Sequence, residues 1–172
     1  MSIAEIEEMK VAFVECAIRA HECNYDGIEL HAAHGYLIGQ FLSKKFNKRE
    51  DDYGGSFKNR AKFLIDIIEE IKEKTSSNFL IGVRISPERF GLDTIEMITL
   101  YKMLCENNNV DFFCLGRAAI LDHQFPNRLK AEGSNFQPYS APVTRDHLLK
   151  EGLSETFVNY MATWKNFVSD SA

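Results

Sequence analysis

The feature of this sequence that most restricts its fold is a regular alternation of helical and extended patterns between residues 2 and 121. Three stretches with apolar residues at helical spacing are each followed by a short apolar or alternating stretch, at residues 25–31, 79–84 and 110–115. Helices that connect consecutive strands place those strands parallel to one another in one sheet, with right-handed crossovers. The order therefore predicts an α/β protein with three parallel strands.

Each of the three predicted helices begins at an N-terminal cap. Ser2 and Glu5 have the spacing of a capping box, Asp93 and Glu96 repeat that spacing, and Ser56 precedes the middle helix. Behind each cap, apolar residues recur on one face of the helix. These residues are Ile6, Met9, Phe13 and Ala17, then Phe57, Ala61, Leu64, Ile67, Ile68 and Ile71, then Met97, Ile98, Tyr101, Leu104 and Cys105. A shorter helix is predicted at residues 37–42, before a structured polar loop at residues 43–55.

The C-terminal part of the chain is less regular. A short helix is expected at residues 118–121, but residues 122–142 have no period and hold three of the four prolines, which predicts an irregular tail or linker. A stripe of large side chains then predicts a final helix that docks on its own core or on another subunit. The stripe consists of Phe157, Tyr160, Met161, Trp164, Phe167 and Val168. We therefore expect a domain at residues 1–128 and a C-terminal tail at residues 129–172.

Composition excludes several classes of protein. A hydrophobic content of 45% in 172 residues supports a folded core. The net charge of -5 argues against binding to nucleic acid or an anionic membrane. No apolar run is long enough to span a bilayer, and the N-terminal residues lack a secretory pattern. The four cysteines are widely spaced, which is typical of reduced thiols, and Cys114 is expected in the core. We therefore expect a soluble cytoplasmic protein.

Each of the three predicted strands ends in, or is followed by, a charged, titratable or glycine residue where an apolar residue would pack better. His31 ends the first strand, Arg84 ends the second, and Gly116 and Arg117 follow the third. In parallel α/β folds, ligands bind at the carboxyl ends of the strands. The position of these residues therefore predicts a ligand-binding site at the carboxyl ends of the strands.

His31 and His34 leave several interpretations open. Strand alternation places Glu29 and His31 on one face, away from the covering helices, and His34 follows the strand end. Both imidazoles can hydrogen-bond one small polar group, or each can be satisfied by a backbone carbonyl. A metal site needs three or four ligands, and no nearby residue has the spacing to complete one, so we predict no metal. Tyr36 either donates a proton to a substrate or packs by its ring.

The two arginines also have alternative roles. Arg84 must meet a carboxylate, a carbonyl or a ligand anion, and an ion pair with Glu29 competes with ligand binding. Gly116 and Arg117 offer free backbone N–H groups and a forked cation, which suit a phosphate. Polar residues in and beside the loop are expected to hydrogen-bond it into shape. These are Asn47, Arg49, Asp52, Tyr53, Asn59 and Arg60.

Several motifs together closely resemble the Old Yellow Enzyme family of FMN-dependent ene-reductases. The longest reads DGIELHAAHGYL at residues 26–37, and it is followed by QFLS at 40–43, NKR at 47–49, DYGGS at 52–56 and NR at 59–60. The segments GVRISP at residues 82–87 and DFFCLGRAAI at 111–120 resemble later strands of the family's barrel. The resemblance covers most of residues 3–128, and the tail is similar to that of bacterial members.

The resemblance implies a TIM barrel that binds FMN, takes electrons from NAD(P)H and passes hydride to the β-carbon of an activated alkene, such as an α,β-unsaturated carbonyl compound. By this resemblance, His31 and His34 bind the carbonyl oxygen of the substrate as negative charge develops on it. Tyr36 matches the tyrosine that delivers a proton to the α-carbon.

The cofactor-binding residues are also implied by the resemblance. Arg84 matches the arginine beside the N1 and O2 edge of the flavin, where a fixed cation stabilises the reduced anion. Gly116 and Arg117 match residues that hold the FMN phosphate.

The chain departs from the family in its number of strands. A TIM barrel has eight strands in about 250 residues, whereas three strands are found here. The chain begins in the helix before the family's fourth strand and passes, at residues 106–109, from the helix after the fifth strand into the eighth. We therefore expect a partial barrel whose exposed edges favour a homo-oligomer or a complementary chain. Two functions remain open: an FMN-dependent oxidoreductase, or a catalytically inactive remnant that oligomerises.

Overall fold

The structure, a computed structural model, describes residues 1–86, 90–106, 110–114 and 116–169. These residues form two compact units, Met1–Cys114 and Leu115–Ala172. The predicted junction lies, apart from Glu106, outside the described residues, as do Pro87 of the second strand motif and Leu115 of the third. The family-based boundary after residue 128 stays a prediction.

The first unit alternates helices and strands as the sequence predicts. Its elements are α1 (Ile3–Glu22), β1 (Gly27–Ala32), α2 (Leu37–Leu42), α3 (Phe57–Lys74), β2 (Leu80–Ile85), α4 (Thr94–Glu106) and β3 (Phe112–Phe113). The capping box of Ser2 and Glu5 is present, Ser56 caps α3, and the Asp93 carboxylate accepts a hydrogen bond from the Glu96 N–H at 3.0 Å. The helix starts are therefore fixed by local side-chain chemistry.

The three strands form one parallel sheet in the order β1, β2, β3. One face is covered by helices, and its side chains are buried in the core of the unit. They include Leu30, Ala32, Ile81, Val83 and Ile85. The opposite face carries Glu29, His31, Arg84 and the partly exposed ring of Phe112, and we call it the open face. The predicted partial TIM barrel of three parallel strands with helices is confirmed.

The polar loop between α2 and α3 is held by side chains, as the sequence predicts. The Asn47 amide donates hydrogen bonds to the Phe41 and Tyr53 carbonyls, each at 2.7 Å. Arg60 is almost fully buried and donates to the carbonyls of Leu42 and Gly55. These bonds satisfy backbone groups that no helix or strand uses, and they tie the loop to α2 and α3.

Arg60 also ties the loop to α4. Its Nη2 lies 2.7 Å from Glu96 Oε1, and the exposed Lys44 ammonium lies 2.6 Å from the same oxygen. Burial alone would raise the pKa of Glu96, but the hydrogen bonds from Arg60 and Lys44 outweigh it and hold that pKa below its ordinary value. The carboxylate is therefore shared between one buried and one exposed cation.

The second unit is built from short elements. They are α5 (Arg117–Leu121), α6 (Phe125–Glu132), a 3-10 turn (Gly133–Asn135), β4 (Val143–Thr144), α7 (Arg145–Lys150), α8 (Glu155–Ala162) and β5 (Val168–Ser169). β4 and β5 pair in parallel. A small apolar core holds the unit together, and it consists of Leu121, Leu148, Val158, Met161 and Phe167.

Two expectations about this unit were wrong. Residues 122–142 are not irregular throughout, because α6 forms there; none of its residues is buried, so it has no apolar stripe to reveal it. The helix is instead stabilised by Arg128, whose guanidinium lies 2.6 Å from Asp122 and stacks over Phe136 and Tyr139.

The predicted final helix is shorter than its stripe of large side chains. α8 ends at Ala162, and Val168 belongs to β5. Asn166 has a φ of 57°, a left-handed conformation that a helix cannot contain. Phe167 nevertheless joins the core of the unit. The apolar spacing therefore predicted correctly that this side chain is buried, but it did not reveal the turn that ends the helix before it.

A pair of substitutions tests the role of Arg60. We expect Arg60→Met to lower the free energy of unfolding by about 3 kcal/mol, because it removes the buried partner of Glu96 and of two carbonyls. Lys44→Ala, which removes the exposed partner of the same carboxylate, should cost less than about 1 kcal/mol. Urea denaturation followed by circular dichroism measures both. Equal costs for the two variants would contradict a structural role for the buried guanidinium.

Candidate active site

The carboxyl end of β1 and the turn into α2 bring three candidate side chains together. His34 and Gly35 have φ angles of 57° and 75°, so the chain folds back sharply after the strand. The His34 backbone N–H donates to Ser86 Oγ at the end of β2, at 3.2 Å, and the Gln40 amide donates to the Gly35 carbonyl at 2.7 Å. The turn is therefore fixed both to the neighbouring strand and to the helix that follows it.

The rings of His31, His34 and Tyr36 face one another across this turn. The ring centroid of His31 lies 5.1 Å from that of His34 and 5.2 Å from that of Tyr36. The Tyr36 side chain is 62% exposed. Among the described residues, no backbone carbonyl accepts a hydrogen bond from either imidazole.

Phe90 joins this group, and sequence reasoning missed it. Its ring centroid lies 5.9 Å from that of His34, and its side chain lies beside Gly35. Ser43 Oγ donates to the Gly91 carbonyl at 2.6 Å and so fixes the chain that carries Phe90. Phe90 could have been predicted from its position shortly after the second strand, because the chain segments that follow parallel strands meet at one edge of the sheet.

Arg84 lies beside His31 because the two residues are partners in the pairing of β1 with β2. The ion pair with Glu29, one of the predicted alternatives, is present: Arg84 Nε lies 2.7 Å from Glu29 Oε1, and Nη2 donates to Oε2 at 3.4 Å. The Nε–H is buried and is not aligned with any acceptor among the described residues. The guanidinium is therefore paired in charge but not fully satisfied in hydrogen bonding.

Cys114 was expected in the core, and this expectation was wrong. It is half-buried, and strand alternation after Phe112 places it on the open face, in register with Arg84. Cys114 follows β3 directly, and its N–H donates to the Val83 carbonyl at 3.4 Å, so it stands next to Arg84 on the far side from His31. The apolar neighbours of Cys114 in sequence concealed the strand alternation that turns it outward.

The local charges shift the pKa values of three groups. Burial, together with the charges of His34 and Arg84, holds the pKa of His31 below its ordinary value. Burial alone would raise the pKa of Glu29, but hydrogen bonds from Cys114 and Arg84 lower it overall. Burial and the nearby Glu29 carboxylate raise the pKa of the Cys114 thiol. At neutral pH the open face therefore carries a neutral His31, an ionised Glu29 and a protonated thiol.

Gly116 and Arg117 stand at the start of α5, in the second unit. Gly116 has an ordinary negative φ, and a Cβ there would meet no atom within 4 Å, so no close contact requires a glycine. The role of these two residues in phosphate binding stays a prediction.

Other features of the described chain do not suggest a second catalytic site. An open pocket of about 490 Å³ lies between α1, the polar loop and α3, but its charges pair with one another: Lys10 bridges Glu7 and Asp66, and the Tyr53 hydroxyl donates to Glu7 at 2.7 Å. Residues 1–86, 90–106, 110–114 and 116–169 contain no group of three or more side chains arranged to hold a metal ion. Within those ranges, no helix has the length and apolarity that crossing a membrane requires.

Comparison with known proteins identifies relatives of this chain. A model of the NADH:flavin oxidoreductase / NADH oxidase family matches residues 1–159. An NADH oxidase from Thermoanaerobacter brockii is 49% identical over 98 residues, which are 56% of this chain and 15% of that protein. The 12-oxophytodienoate reductase 2 of Arabidopsis thaliana is 36% identical over 116 residues, which are 60% of this chain and 31% of that protein. The chain thus spans less than a third of the length of these curated relatives.

Solved structures show the same fold. The crystal structure of Old Yellow Enzyme from Pichia sp. AKU4542 aligns with a TM-score of 0.58 and 21% identity over 86% of this chain and 53% of its own, a likeness that shows the fold alone. A 2-naphthoyl-CoA reductase in complex with 2-naphthoyl-CoA aligns with a TM-score of 0.59 and 36% identity over 66% of this chain and 18% of its own. The sheet, the site motifs and the family match agree, and this chain belongs to the NADH:flavin oxidoreductase / NADH oxidase family, the family of Old Yellow Enzyme, of whose TIM barrel it carries a part.

Proposed function

We propose that this chain is part of an FMN-dependent NAD(P)H oxidoreductase that reduces the activated double bond of an α,β-unsaturated carbonyl compound. The observation that carries the proposal is the convergence of His31, His34 and Tyr36 at the carboxyl end of β1, beside Arg84 at the end of β2. Hydrogen-bond donors and a fixed cation at this edge of a parallel sheet suit a ligand on which negative charge develops.

The residues of the first unit fit one edge of a flavin. The Arg84 guanidinium is anchored by Glu29, yet its side chain is 40% exposed and its buried Nε–H has no aligned acceptor in the described part of the chain. A cation held in this way stabilises the anionic form of a reduced flavin. By family resemblance, Gly116 and Arg117 would hold the phosphate. FMN, when bound, supplies the hydride that it receives from NAD(P)H.

His31 and His34 would bind the carbonyl oxygen of the substrate. Because the pKa of His31 lies below its ordinary value of 6.5, this imidazole is neutral at pH 7 and donates a hydrogen bond through one ring N–H. A preorganised donor of this kind stabilises the negative charge that hydride addition to the β-carbon places on the oxygen.

Tyr36 would supply the proton for the α-carbon. Its phenol is exposed and its ring lies against His31, so the hydroxyl is accessible to a substrate bound by the histidines. A phenol is a weak acid that transfers its proton only to a strongly basic carbon, which is what hydride addition creates.

A second candidate function is favoured by the partial barrel. In the described part of the chain, β1 and β3 each pair with β2 alone, and the open face exposes Leu80 and Phe112. An unpaired strand edge and an exposed sheet face promote association with copies of the same chain or with a complementary chain. A catalytically inactive remnant that oligomerises through this face would keep the site residues without using them.

Titration of His31 tests the electrostatics of the site. We expect a His31 midpoint below 6.5 by NMR, and a higher midpoint in His34→Gln, because one positive neighbour of the protonated imidazole is lost. His21→Gln, on α1, should leave the midpoint unchanged. A His31 midpoint at or above 6.5 would show that burial does not act on it.

The same pKa shift has a consequence for stability. The folded protein holds the His31 proton less tightly than the unfolded chain, so protonation favours unfolding. The cost is absent above pH 6.5 and grows as the pH falls through the folded-state pKa. We expect His31→Gln to be less sensitive to acid than the wild type over this range, as measured by the unfolding free energy at several pH values.

Reconstitution with FMN separates the two functions. If the chain is part of an oxidoreductase, the purified protein should take up added FMN and show a flavin absorption band that NADPH bleaches without oxygen. His31→Ala should weaken the binding of phenol to the FMN-loaded protein by roughly tenfold to a hundredfold, because it removes a donor to a phenolate. His21→Ala is the matched control. A wild-type protein that takes up no FMN favours the inactive remnant.

The oligomeric state tests the open face. Native mass spectrometry of the 19.7 kDa chain should show multiples of its mass, or a heavier complex with a complementary chain. Phe112→Lys places a charge on the open face and should shift the population toward the monomer, whereas Tyr25→Lys, at another exposed aromatic residue, should not. A wild-type protein that is monomeric at micromolar concentration would contradict association through this face.

A further inference from the structure

Three strands contribute one polar side chain each to a cluster on the open face, and the proposed chemistry uses only one of the three. Glu29 comes from β1, Arg84 from β2, and Cys114 directly follows β3. We call these three residues the charge cluster. The pairing of the strands aligns Arg84 with Cys114, and Glu29 lies two residues nearer the start of β1 than the partner of Arg84.

The Glu29 carboxylate lies along one edge of the Arg84 guanidinium. Arg84 Nε lies 2.7 Å from Oε1 without being aligned as a hydrogen bond, and Nη2 donates to Oε2 at 3.4 Å. The Cys114 backbone N–H donates to the Val83 carbonyl at 3.4 Å, which places Cys114 beside Arg84 on the side away from β1. One carboxylate therefore pairs with the guanidinium, and a thiol stands on its other side.

The strand residues below the cluster restrict where these side chains can move. The strand partner of Glu29 is Gly82, which has no side chain, and the Phe112 ring occupies the space where a Cβ would be. An ideal Cβ on Gly82 would lie 2.1 Å from that ring. The aromatic ring thus fills the space over Gly82, next to Glu29 in the pairing of β1 with β2.

Stability of the sheet does not explain the charge cluster. The Arg84 and Glu29 side chains are 40% and 26% exposed, and a partly exposed ion pair contributes about 0–1 kcal/mol. β1 and β2 are already joined by a parallel ladder that runs over all six residues of each strand. What the pair adds is the orientation of the guanidinium and a compensating negative charge beside it.

We propose that Glu29 is a positioning residue for Arg84 and that it sets the net charge which a flavin meets at this edge. This inference rests on the proposed function, because it concerns the group that Arg84 would contact. Glu29 fixes the direction of the guanidinium and offsets part of its positive charge. The anionic reduced flavin is therefore stabilised less than it would be by an unpaired arginine, and the reduction potential of the bound flavin is kept lower.

The first experiment measures the reduction potential of FMN bound to the full chain. Glu29→Gln keeps a hydrogen-bond acceptor but removes the charge, so the midpoint potential should move to a more positive value. Glu29→Asp keeps the charge and should restore a potential close to that of the wild type, although the shorter side chain reaches less far. Glu15→Gln, an exposed carboxylate on α1, is the control and should change nothing. With FMN bound, an unchanged potential in Glu29→Gln overturns this inference and leaves the proposed function standing.

The second experiment requires no flavin. In a chain whose exposed cysteines at positions 16, 23 and 105 are replaced by serine, Cys114 is the remaining thiol, and its alkylation by iodoacetamide is measured against pH. Glu29→Gln should lower the pKa of this thiol and accelerate alkylation at pH 8, by up to about tenfold for each pKa unit of change. An unchanged profile would show that the Glu29 charge does not act on the Cys114 thiol and would overturn the charge cluster.

The two experiments distinguish failure of the inference from failure of the proposed function. A wild-type chain that takes up no FMN overturns the proposed function, and the role of Glu29 toward a flavin falls with it, whatever the thiol profile shows. If Glu29→Gln does not fold, as judged by circular dichroism, Glu29→Ala, which also removes the charge, replaces it in both experiments. The same shift toward a more positive potential is expected, and an unchanged potential in a folded Glu29→Ala variant overturns this inference.

Discussion

The site depends on the register in which β1 pairs with β2. That register places His31 opposite Arg84 and Glu29 opposite Gly82, and it puts the side chains of His31, Arg84 and Glu29 on the open face. A slip of one residue would turn His31 and Glu29 into the helix-covered core, where their burial would be prohibitively unfavourable. Gly27 helps to fix the register at its start, because a Cβ there would lie 2.2 Å from the Leu80 carbonyl oxygen.

The first unit was predictable from sequence to the extent that its signals are local. The cap at Ser2, the cap at Ser56 and the alternation around Leu30 each act within a few residues, and the corresponding elements appear in the structure. The second unit was predicted poorly for the same reason. α6 buries nothing, and the turn at Asn166 interrupts a stripe of side chains that remain apolar on both sides of it.

The site was predictable in its members but not in its contacts. His31, His34 and Tyr36 are close in sequence, so a single turn brings them together. Phe90 and Cys114 follow strands that are distant in sequence from His31. The apolar pattern within one strand cannot show which residues of another strand lie beside it. Glu29 was recognised as one alternative partner of Arg84, but only the structure shows that the ion pair leaves the guanidinium partly exposed and therefore still open to a ligand. Arg84 can therefore pair with Glu29 and still contact a ligand.

The left-handed backbone at His34 also limits which chemistry this position can acquire by substitution. At a φ of 57°, branched side chains such as valine and isoleucine clash with the main chain, whereas asparagine, aspartate and histidine are tolerated. Glycine is tolerated better still and has no side chain, so it is the one inexpensive replacement at this corner that removes the recognising group. The other inexpensive replacements each carry a side chain that can accept or donate a hydrogen bond.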